Sequence, residues 1–282
     1  MGSPLVDVAA LSAAMLTGRP PVLLDVRWQL GGPPGLSEYR LGHLLGSAFV
    51  DLDAELAGPP GIRGRHPLPD VTVLQASLRR AGVTASRPVV VYDGGSGMGA
   101  ARAWWVLRWA GHPEVSVLDG GLPAWRDAGR PLAAGDGPPP AEGDFTVLPG
   151  SMPTLDADGA ATLARAGVLV DVRAGERYRG EQEPIDSVAG HIPGAVNAPV
   201  TELYEPSGRL LPEPVLAARF AELLGEGRDR GPVGASCGSG VSAAQLVLAL
   251  EVCGIPAALY VGSWSEWITD PTRSVATGPD PG

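Results

Sequence analysis

Short apolar runs alternate with longer amphipathic stretches along the whole chain. The runs are nearly free of polar residues, which is typical of strands buried on both faces of a sheet. The stretches between them repeat apolar residues at helical spacing. The predicted strands are residues 22–26, 88–92, 168–172, 232–236 and 257–261, and the predicted helices are residues 71–81, 98–110, 215–224 and 242–252. This alternation predicts an α/β fold of parallel sheets with helices on both faces.

The chain also repeats itself once. The block LLDVRW (23–28) returns as LVDVRA (169–174), and GHLLGSA (42–48) returns as GHIPGAV (190–196). VVVYDGGSG (89–97) corresponds to VGASCGSGV (233–241), and GGLPAW (120–125) corresponds to GSWSEW (262–267). The order is kept at offsets of 142 to 148 residues, which indicates a duplicated domain. We predict an N-terminal domain at 1–132, a Gly- and Pro-rich linker at 133–153, and a C-terminal domain at 154–282.

Composition and charge narrow the function classes. The chain has 282 residues, 44% of them hydrophobic, and a net charge of −10, so it can form a core but has no general attraction for nucleic acid or anionic membranes. An anionic substrate therefore needs a local cluster of donors. Two cysteines are too few for a disulfide-built scaffold. The sequence shows no basic signal-peptide start and no apolar run of the roughly 18 residues that a membrane span needs, so we expect a cytoplasmic protein.

Cys237 is the candidate nucleophile. It follows a predicted strand and precedes a predicted helix, within the loop CGSGVS (237–242). The two glycines allow backbone amides to turn toward the sulfur, and the helix N-terminus adds positive potential, so both favour the thiolate. The equivalent position in the first half is Asp93, which supplies no sulfur. We therefore predict one active site per chain, with Cys237 from the second half, at the cleft between the two halves.

Other interpretations of Cys237 remain open at this point. A free cysteine is often a small buried hydrophobe, which is our reading of Cys253. A cysteine phosphatase needs an arginine six positions after the cysteine, where Ala243 stands. A thioredoxin-like role lacks the C-x-x-C motif. A non-catalytic binding module would be expected to lose the cysteine, as the first half has done.

The paired DVR, GHIPGA, CGSGVSA and GSWSEW blocks resemble the two-domain rhodanese superfamily of sulfurtransferases over essentially the whole chain. The resemblance implies two tandem rhodanese-like domains and transfer of a sulfane sulfur through a persulfide on Cys237. The loop is similar to that of 3-mercaptopyruvate sulfurtransferases, with a thiol such as thioredoxin or cyanide as acceptor. Thiosulfate sulfurtransferase activity is the alternative. The family implies no cofactor and no metal, and the sequence is compatible with a monomer.

The resemblance also implies a substrate-binding set. Arg177 and Arg179, in the segment ERYRG, match the family's substrate-binding arginine motif, with Arg177 at the position of the binding arginine. Nine positions after Arg177, where mercaptopyruvate enzymes carry a second arginine, stands Asp186. The donor is also expected to contact the backbone of the loop, at Gly238, Gly240, Val241 and Ser242.

Ser239 and His43 are the candidates for proton transfer. The family places a first-domain histidine beside the loop serine, and His43 is the histidine of the GHLLGSA block. His191, its partner in the repeat, is read as a turn-stabilising residue, and the repeated Asp–Arg pair of the DVR blocks is read as a buried ion pair. No role is assigned from the sequence to His66 or His112.

Overall fold

The computed structural model describes residues 3–224 and 231–282. Its contacts divide the chain into two compact units. Unit 1 contains Met1–Gly58, Leu68–Met152 and Pro206–Leu210, and unit 2 contains Pro59–Pro67, Pro153–Glu205 and Leu211–Gly282. The predicted domains were continuous, whereas Pro59–Pro67 belongs to unit 2 and Pro206–Leu210 belongs to unit 1. Residues 133–152, predicted as a linker, belong to unit 1, where Phe145 and Val147 are buried and the Phe145 amide donates to Val83 O.

Unit 1 is built on a five-stranded parallel sheet of order β1-β6-β5-β2-β4. A short antiparallel pair, β3-β7, lies beside it. Its strands are β1 (Leu5–Val6), β2 (Val22–Asp25), β3 (His43–Leu44), β4 (Ala48–Phe49), β5 (Val89–Tyr92), β6 (Val115–Leu118) and β7 (Leu132–Ala133). Its helices are α1 (Val8–Ala14), α2 (Gly35–Leu41), α3 (Leu52–Glu55), α4 (Val71–Arg80), α5 (Met98–Trp109) and α6 (Gly121–Asp127).

Unit 2 repeats this architecture. Its parallel sheet has the order β10-β9-β11-β12-β8. Read from β8 to β10, this is the strand order of unit 1 from β1 to β4. Its strands are β8 (Thr154–Leu155), β9 (Val168–Asp171), β10 (Val196–Asn197), β11 (Val233–Ser236) and β12 (Ala257–Tyr260). Its helices are α7 (Ala157–Ala166), α8 (Gly175–Tyr178), α9 (Glu213–Leu224), α10 (Ala243–Val252) and α11 (Ser263–Trp267), with a 3₁₀ turn at Val200–Leu203.

Helices cover both faces of each sheet. In unit 1, Leu23 packs in a cluster with α1 and α6, whereas its neighbour Leu24 points to the other face and is also fully buried. In unit 2, Leu169 packs with α7 and α11, and Val170 is buried on the opposite face. Successive strand residues alternate in direction, so burial of both neighbours requires cover on both sides. The predicted α/β class, with parallel sheets between helices, is confirmed.

The predicted elements agree with the structure to within one or two residues at their ends. The pattern missed the two-residue strands, which carry no periodic signal. It also missed the four-residue strand β6, the ten-residue helix α7 and several shorter helices. Within residues 3–224 and 231–282, no helix combines the length and apolarity needed to cross a bilayer.

Candidate active site

The Cys237 loop joins β11 to α10 at the carboxyl end of the unit 2 sheet, where ligands of α/β proteins commonly bind. Cys237 is 1% exposed, and the amide of Gly240 donates a hydrogen bond to its Sγ at 3.0 Å. Gly240 has φ +76, and a Cβ there would overlap the carbonyl oxygen of Val261. The loop therefore needs glycine at this position to turn an amide toward the sulfur.

The start of α11 holds the outer side of the loop. The amides of Trp264 and Ser265 donate to the carbonyls of Cys237 and Gly238, at 3.0 and 2.9 Å. These bonds turn two loop carbonyls away from the sulfur. A negative charge on Sγ thus faces an amide dipole rather than carbonyl oxygens, which stabilises that charge.

Ser263 fixes the approach of α11 to Cys237. Its Oγ accepts the Cys237 amide at 3.1 Å, donates to Tyr260 O at 2.7 Å, and lies 3.9 Å from the sulfur. In the described part of the chain, Ser263 is the one non-glycine residue with positive φ, at +53. Such backbone strain persists where the surrounding contacts impose it, and it is common at functional sites.

His66 contacts the loop serine. Its Nδ1 lies 2.8 Å from Ser239 Oγ, and both residues are buried. His43, the candidate from the sequence, instead places Nδ1 3.0 Å from Tyr39 O and stacks on the Tyr39 ring. His191 makes the same two contacts with Tyr178, as expected for a turn-stabilising residue. The histidine partner of Ser239 is thus His66 and not the predicted His43. His43 instead packs on Tyr39 as its repeat equivalent His191 packs on Tyr178.

The segment Pro59–Pro67 carries His66 to the site. Gly61 and Gly64 form a tight bridge within it, Thr269 Oγ1 donates to Ile62 O, and the Arg65 amide donates to Ser265 Oγ at 3.0 Å. These contacts fasten the segment to α11 and to the turn that follows it. They also place the Arg65 side chain beside the Cys237 loop.

Arg177 also lies beside the Cys237 loop, near Gly238. It projects from α8, and its Nε and Nη2 donate to the carboxylate of Glu183, while Nη2 also donates to Asp186 Oδ2 at 3.1 Å. Burial alone would raise the pKa of Glu183, but the Arg177 hydrogen bond and the amides of Asp186 and Ile185 lower it below its ordinary value. The acids are nearly inaccessible and hold Arg177 in one orientation.

Asp186 binds two arginines. Besides Arg177 it accepts hydrogen bonds from the guanidinium of Arg65, and its side chain is 3% exposed. A Cβ added to Gly238 would lie 3.0 Å from Arg65 Nη2 and 3.7 Å from Arg177 Nη1. Two guanidinium groups thus border the loop that carries the sulfur.

Arg179 lies elsewhere. It forms an exposed ion pair with Glu181 and lines a cavity of about 1030 Å³ that contains no residue of the loop 237–242 in its lining. The physical reason is the short helix α8, because positions i and i+2 of a helix point in different directions. The geometry therefore supports Arg177 alone of the two predicted arginines.

Two further residues of the Cys237 loop were predicted to contact the donor. Val241 is buried, and Ser242 precedes the first residue of α10.

The repeated Asp–Arg pairs are structural, as predicted. Arg173 donates to Asp171 and to Gly190 O, and Arg27 donates to Asp25 and to Gly42 O. Burial would lower the pKa of Arg173, but Asp171, Glu183 and Cys237 together raise it. Each pair ties the end of a central strand to the turn of the GH block.

Unit 1 contains the same loop without the sulfur. Asp93 follows β5, and its carboxylate accepts the amides of Gly95, Gly97 and Ala100 at 2.8, 3.2 and 3.3 Å. The carboxyl group of Asp93 thus occupies this loop. In the part of the chain that the structure describes, no group of three or more His, Cys, Asp or Glu side chains is arranged to hold a metal ion.

Arg65, His66 and Ser263 were not predicted as site residues from the sequence. Ser263 lies in a repeated block, which could have marked it. Arg65 and His66 lie in a Gly- and Pro-rich stretch without periodicity, and His66 contacts a residue 173 positions away. A local pattern does not reveal such a pairing.

Comparisons with known proteins agree with this architecture. The family profile described as Rhodanese-like domain matches residues 8–128 and 156–270. The chain is 47% identical to "Putative thiosulfate sulfurtransferase SseB" of Mycobacterium tuberculosis over 98% of both chains. It is 45% identical to "Probable 3-mercaptopyruvate sulfurtransferase" of Pseudomonas aeruginosa, over 99% of this chain and 100% of the relative. The crystal structure of SseA from Escherichia coli, presented with the fold and mechanism of 3-mercaptopyruvate sulfotransferases, superposes with a TM-score of 0.81 at 31% identity over 94% of this chain and 100% of SseA. With two matched rhodanese-like domains and full-length relatives, the chain belongs to the rhodanese family.

Proposed function

We propose that this chain is a sulfurtransferase that carries sulfur as a persulfide on Cys237, with 3-mercaptopyruvate as donor. The observation that supports it most is the loop itself, where an inward amide meets Cys237 Sγ and two guanidiniums border Gly238. An arginine fork binds a carboxylate well, and a preorganised amide stabilises an anionic sulfur. The printed names of the relatives point to the same class of reaction.

In the first half-reaction, the Cys237 thiolate attacks the sulfur of mercaptopyruvate. The new Sγ–S bond forms as the C–S bond breaks, and the electron pair of that bond leaves on carbon as the enolate of pyruvate. A proton then converts the enolate to pyruvate. Ser239 and His66, joined by a 2.8 Å contact, are suited to deliver that proton.

In the second half-reaction, an acceptor thiolate or cyanide attacks the outer sulfur of the persulfide. The S–S bond breaks, its electron pair returns to Sγ, and the Cys237 thiolate is restored. Because Cys237 is buried, bulk water is excluded from the persulfide between the two steps. No step requires an oxidant or a reductant.

Thiosulfate is the second candidate donor, because one relative carries that name and Asp186 replaces the arginine typical of mercaptopyruvate enzymes. The Ser239–His66 pair favours mercaptopyruvate. Its enolate leaving group needs a proton, whereas the sulfite that leaves thiosulfate does not. Relative kcat/KM values for the two donors, measured with one acceptor, decide between them, and a clear thiosulfate preference would overturn the choice of donor while leaving the persulfide in place.

The central test is the persulfide. Wild type incubated with mercaptopyruvate should gain the mass of one sulfur atom on the Cys237 peptide and release pyruvate, and its steady-state double-reciprocal lines should be parallel. Cys237→Ser should lose both the mass gain and the transfer, whereas Cys253→Ser, the matched control, should keep them. Transfer that persists in Cys237→Ser would refute the mechanism.

A cytoplasmic location and a thiol acceptor such as thioredoxin are part of the same proposal. Both cysteines are free in the structure, which is what a reducing compartment requires.

A further inference from the structure

Arg65 is a charged group to which neither half-reaction assigns a role. Its amide is fixed to Ser265, and its guanidinium is fixed to Asp186, so both ends of the residue are held. Its side chain is 26% exposed, against 3% for the carboxylate that holds it. An ion pair built only for stability would not need to lie against the glycine beside the candidate nucleophile.

Two of the donors that carry no strong hydrogen bond lie near that glycine. Arg177 uses Nε and Nη2 on Glu183 and Asp186, and Arg65 uses Nη1 and one weak contact of Nη2 on Asp186. Within residues 3–224 and 231–282, Arg177 Nη1 meets no acceptor, and Arg65 Nη2 meets none other than Asp186. These two nitrogens are the ones that lie 3.7 and 3.0 Å from the Cβ position of Gly238.

We propose that Arg65 is the second anion-binding residue of the site, which receives the carboxylate of the donor together with Arg177. The inference rests on the proposed function and assigns a residue to its donor site. Asp186 occupies the position of the arginine expected nine residues after Arg177, and it anchors a guanidinium that comes from 121 positions earlier. The cation missing at position 186 is thus supplied by another segment.

The geometry fits a small planar anion. Two guanidinium nitrogens near the same point can each donate to one oxygen of a carboxylate, and Gly238 presents no side chain there. Glu183 and Asp186 hold the two arginines in place. The loop 237–242 has no charged side chain of its own, so the flanking arginines provide the positive charge near the sulfur.

Kinetics with three variants test the role. Arg65→Gln should raise the KM for mercaptopyruvate and lower kcat/KM by roughly 10- to 100-fold, the range for losing a charged hydrogen bond, while the KM of the acceptor stays unchanged. Arg65→Lys should lose less, because it keeps the charge without the fork. Arg63→Gln, two residues away on the exposed side of the segment, is the matched control.

Alkylation of Cys237 separates this inference from the proposed function, because it needs no turnover. Iodoacetate is an anion and iodoacetamide is its neutral analogue, and the modified Cys237 peptide reports the rate of each. Arg65→Gln should slow iodoacetate about 10-fold and leave the iodoacetamide rate unchanged. An unchanged ratio of the two rates, in an enzyme that transfers sulfur normally, overturns the role of Arg65 alone. A Cys237 that reacts with neither reagent, in a protein that transfers no sulfur, overturns the proposed function and this inference with it.

Discussion

At the scale of single residues, the site depends on carboxylates that hold its arginines in place. Glu183 is nearly inaccessible, accepts three hydrogen bonds from Arg177, and also accepts the amides of Ile185 and Asp186. A buried carboxylate that has lost its water is tolerated only with such partners. The hydrogen bonds of Glu183 also fix the orientation of Arg177 toward Gly238. Glu183 is therefore a positioning residue.

The lowered pKa of Glu183 predicts an acid-dependent loss of stability. A carboxyl whose pKa is lower in the folded than in the unfolded state stabilises the fold above its ordinary pKa, roughly 4.3, and loses that contribution as the pH falls through the lowered value. Urea unfolding of wild type should therefore show a free energy of unfolding that falls below about pH 4.3, and Glu183→Gln should weaken that dependence.

Glu181→Gln is the matched control for this experiment. Glu181 also has a lowered pKa, owing to Arg179, but the pair is exposed. Exposed pairs contribute little and are screened by salt, so this variant should change the pH dependence less, and hardly at all at high ionic strength. Equal effects of the two variants would show that Glu183 is not held as the structure indicates.

At the scale of elements, the junction of β11, the loop and α10 forms the site. Two glycines with positive φ flank α10, Gly240 before it and Gly254 after it, at +76 and +67. They differ in their surroundings, because a Cβ at Gly240 would overlap Val261 O, whereas a Cβ at Gly254 would meet nothing within 4 Å. The two positions thus separate backbone conformation from close packing.

Alanine at each glycine should therefore have different costs. Gly254→Ala should lower the free energy of unfolding by roughly 1 kcal/mol, the cost of a positive φ. Gly240→Ala should cost about 2 kcal/mol or more, because the backbone of Val261 must also move, and it should lose persulfide formation as the amide turns away from Cys237. Thermal unfolding and the persulfide mass measure the two effects. Equal losses of stability, or full activity in Gly240→Ala, would contradict the described loop.

The elements also show which parts of the site are readable from sequence. Strand, loop and helix around Cys237 are contiguous, so apolar runs and two glycines were enough to predict them. Arg65 and His66 lie in the segment GIRGRHP, whose glycines and prolines predict only an irregular loop. Arg65 and His66 contact residues 121 to 200 positions later, namely Asp186, Ser239 and Ser265. The family resemblance pointed to His43 because it lies in a recognisable block, whereas the histidine that contacts Ser239 lies in this irregular segment.

At the scale of the whole molecule, duplication has produced two sheets of the same strand order and two loops in which backbone amides donate to one acceptor side chain. In unit 1 the group is the carboxylate of Asp93, and burial raises its pKa even though three amides act in the opposite direction. In unit 2 the group is the sulfur of Cys237. The two loops differ most in the surroundings of the glycine that follows this group, Gly94 in unit 1 and Gly238 in unit 2. The Cβ position of Gly94 meets only the aliphatic stem of Arg27, whereas that of Gly238 meets two guanidiniums.

This difference predicts that a sulfur in unit 1 would remain idle. In Asp93→Cys the cysteine would follow β5 as Cys237 follows β11, but the atoms nearest Gly94 are methylenes, and Arg27 is already engaged by Asp25. After incubation with mercaptopyruvate, we therefore expect Asp93→Cys to carry one persulfide sulfur per chain, as wild type does. The double variant Asp93→Cys, Cys237→Ser should carry none. Mass spectrometry of the intact chain counts the sulfur, and circular dichroism confirms that the variants fold. A second sulfur on folded Asp93→Cys would mean that the loop suffices and that the flanking arginines do not select the active unit.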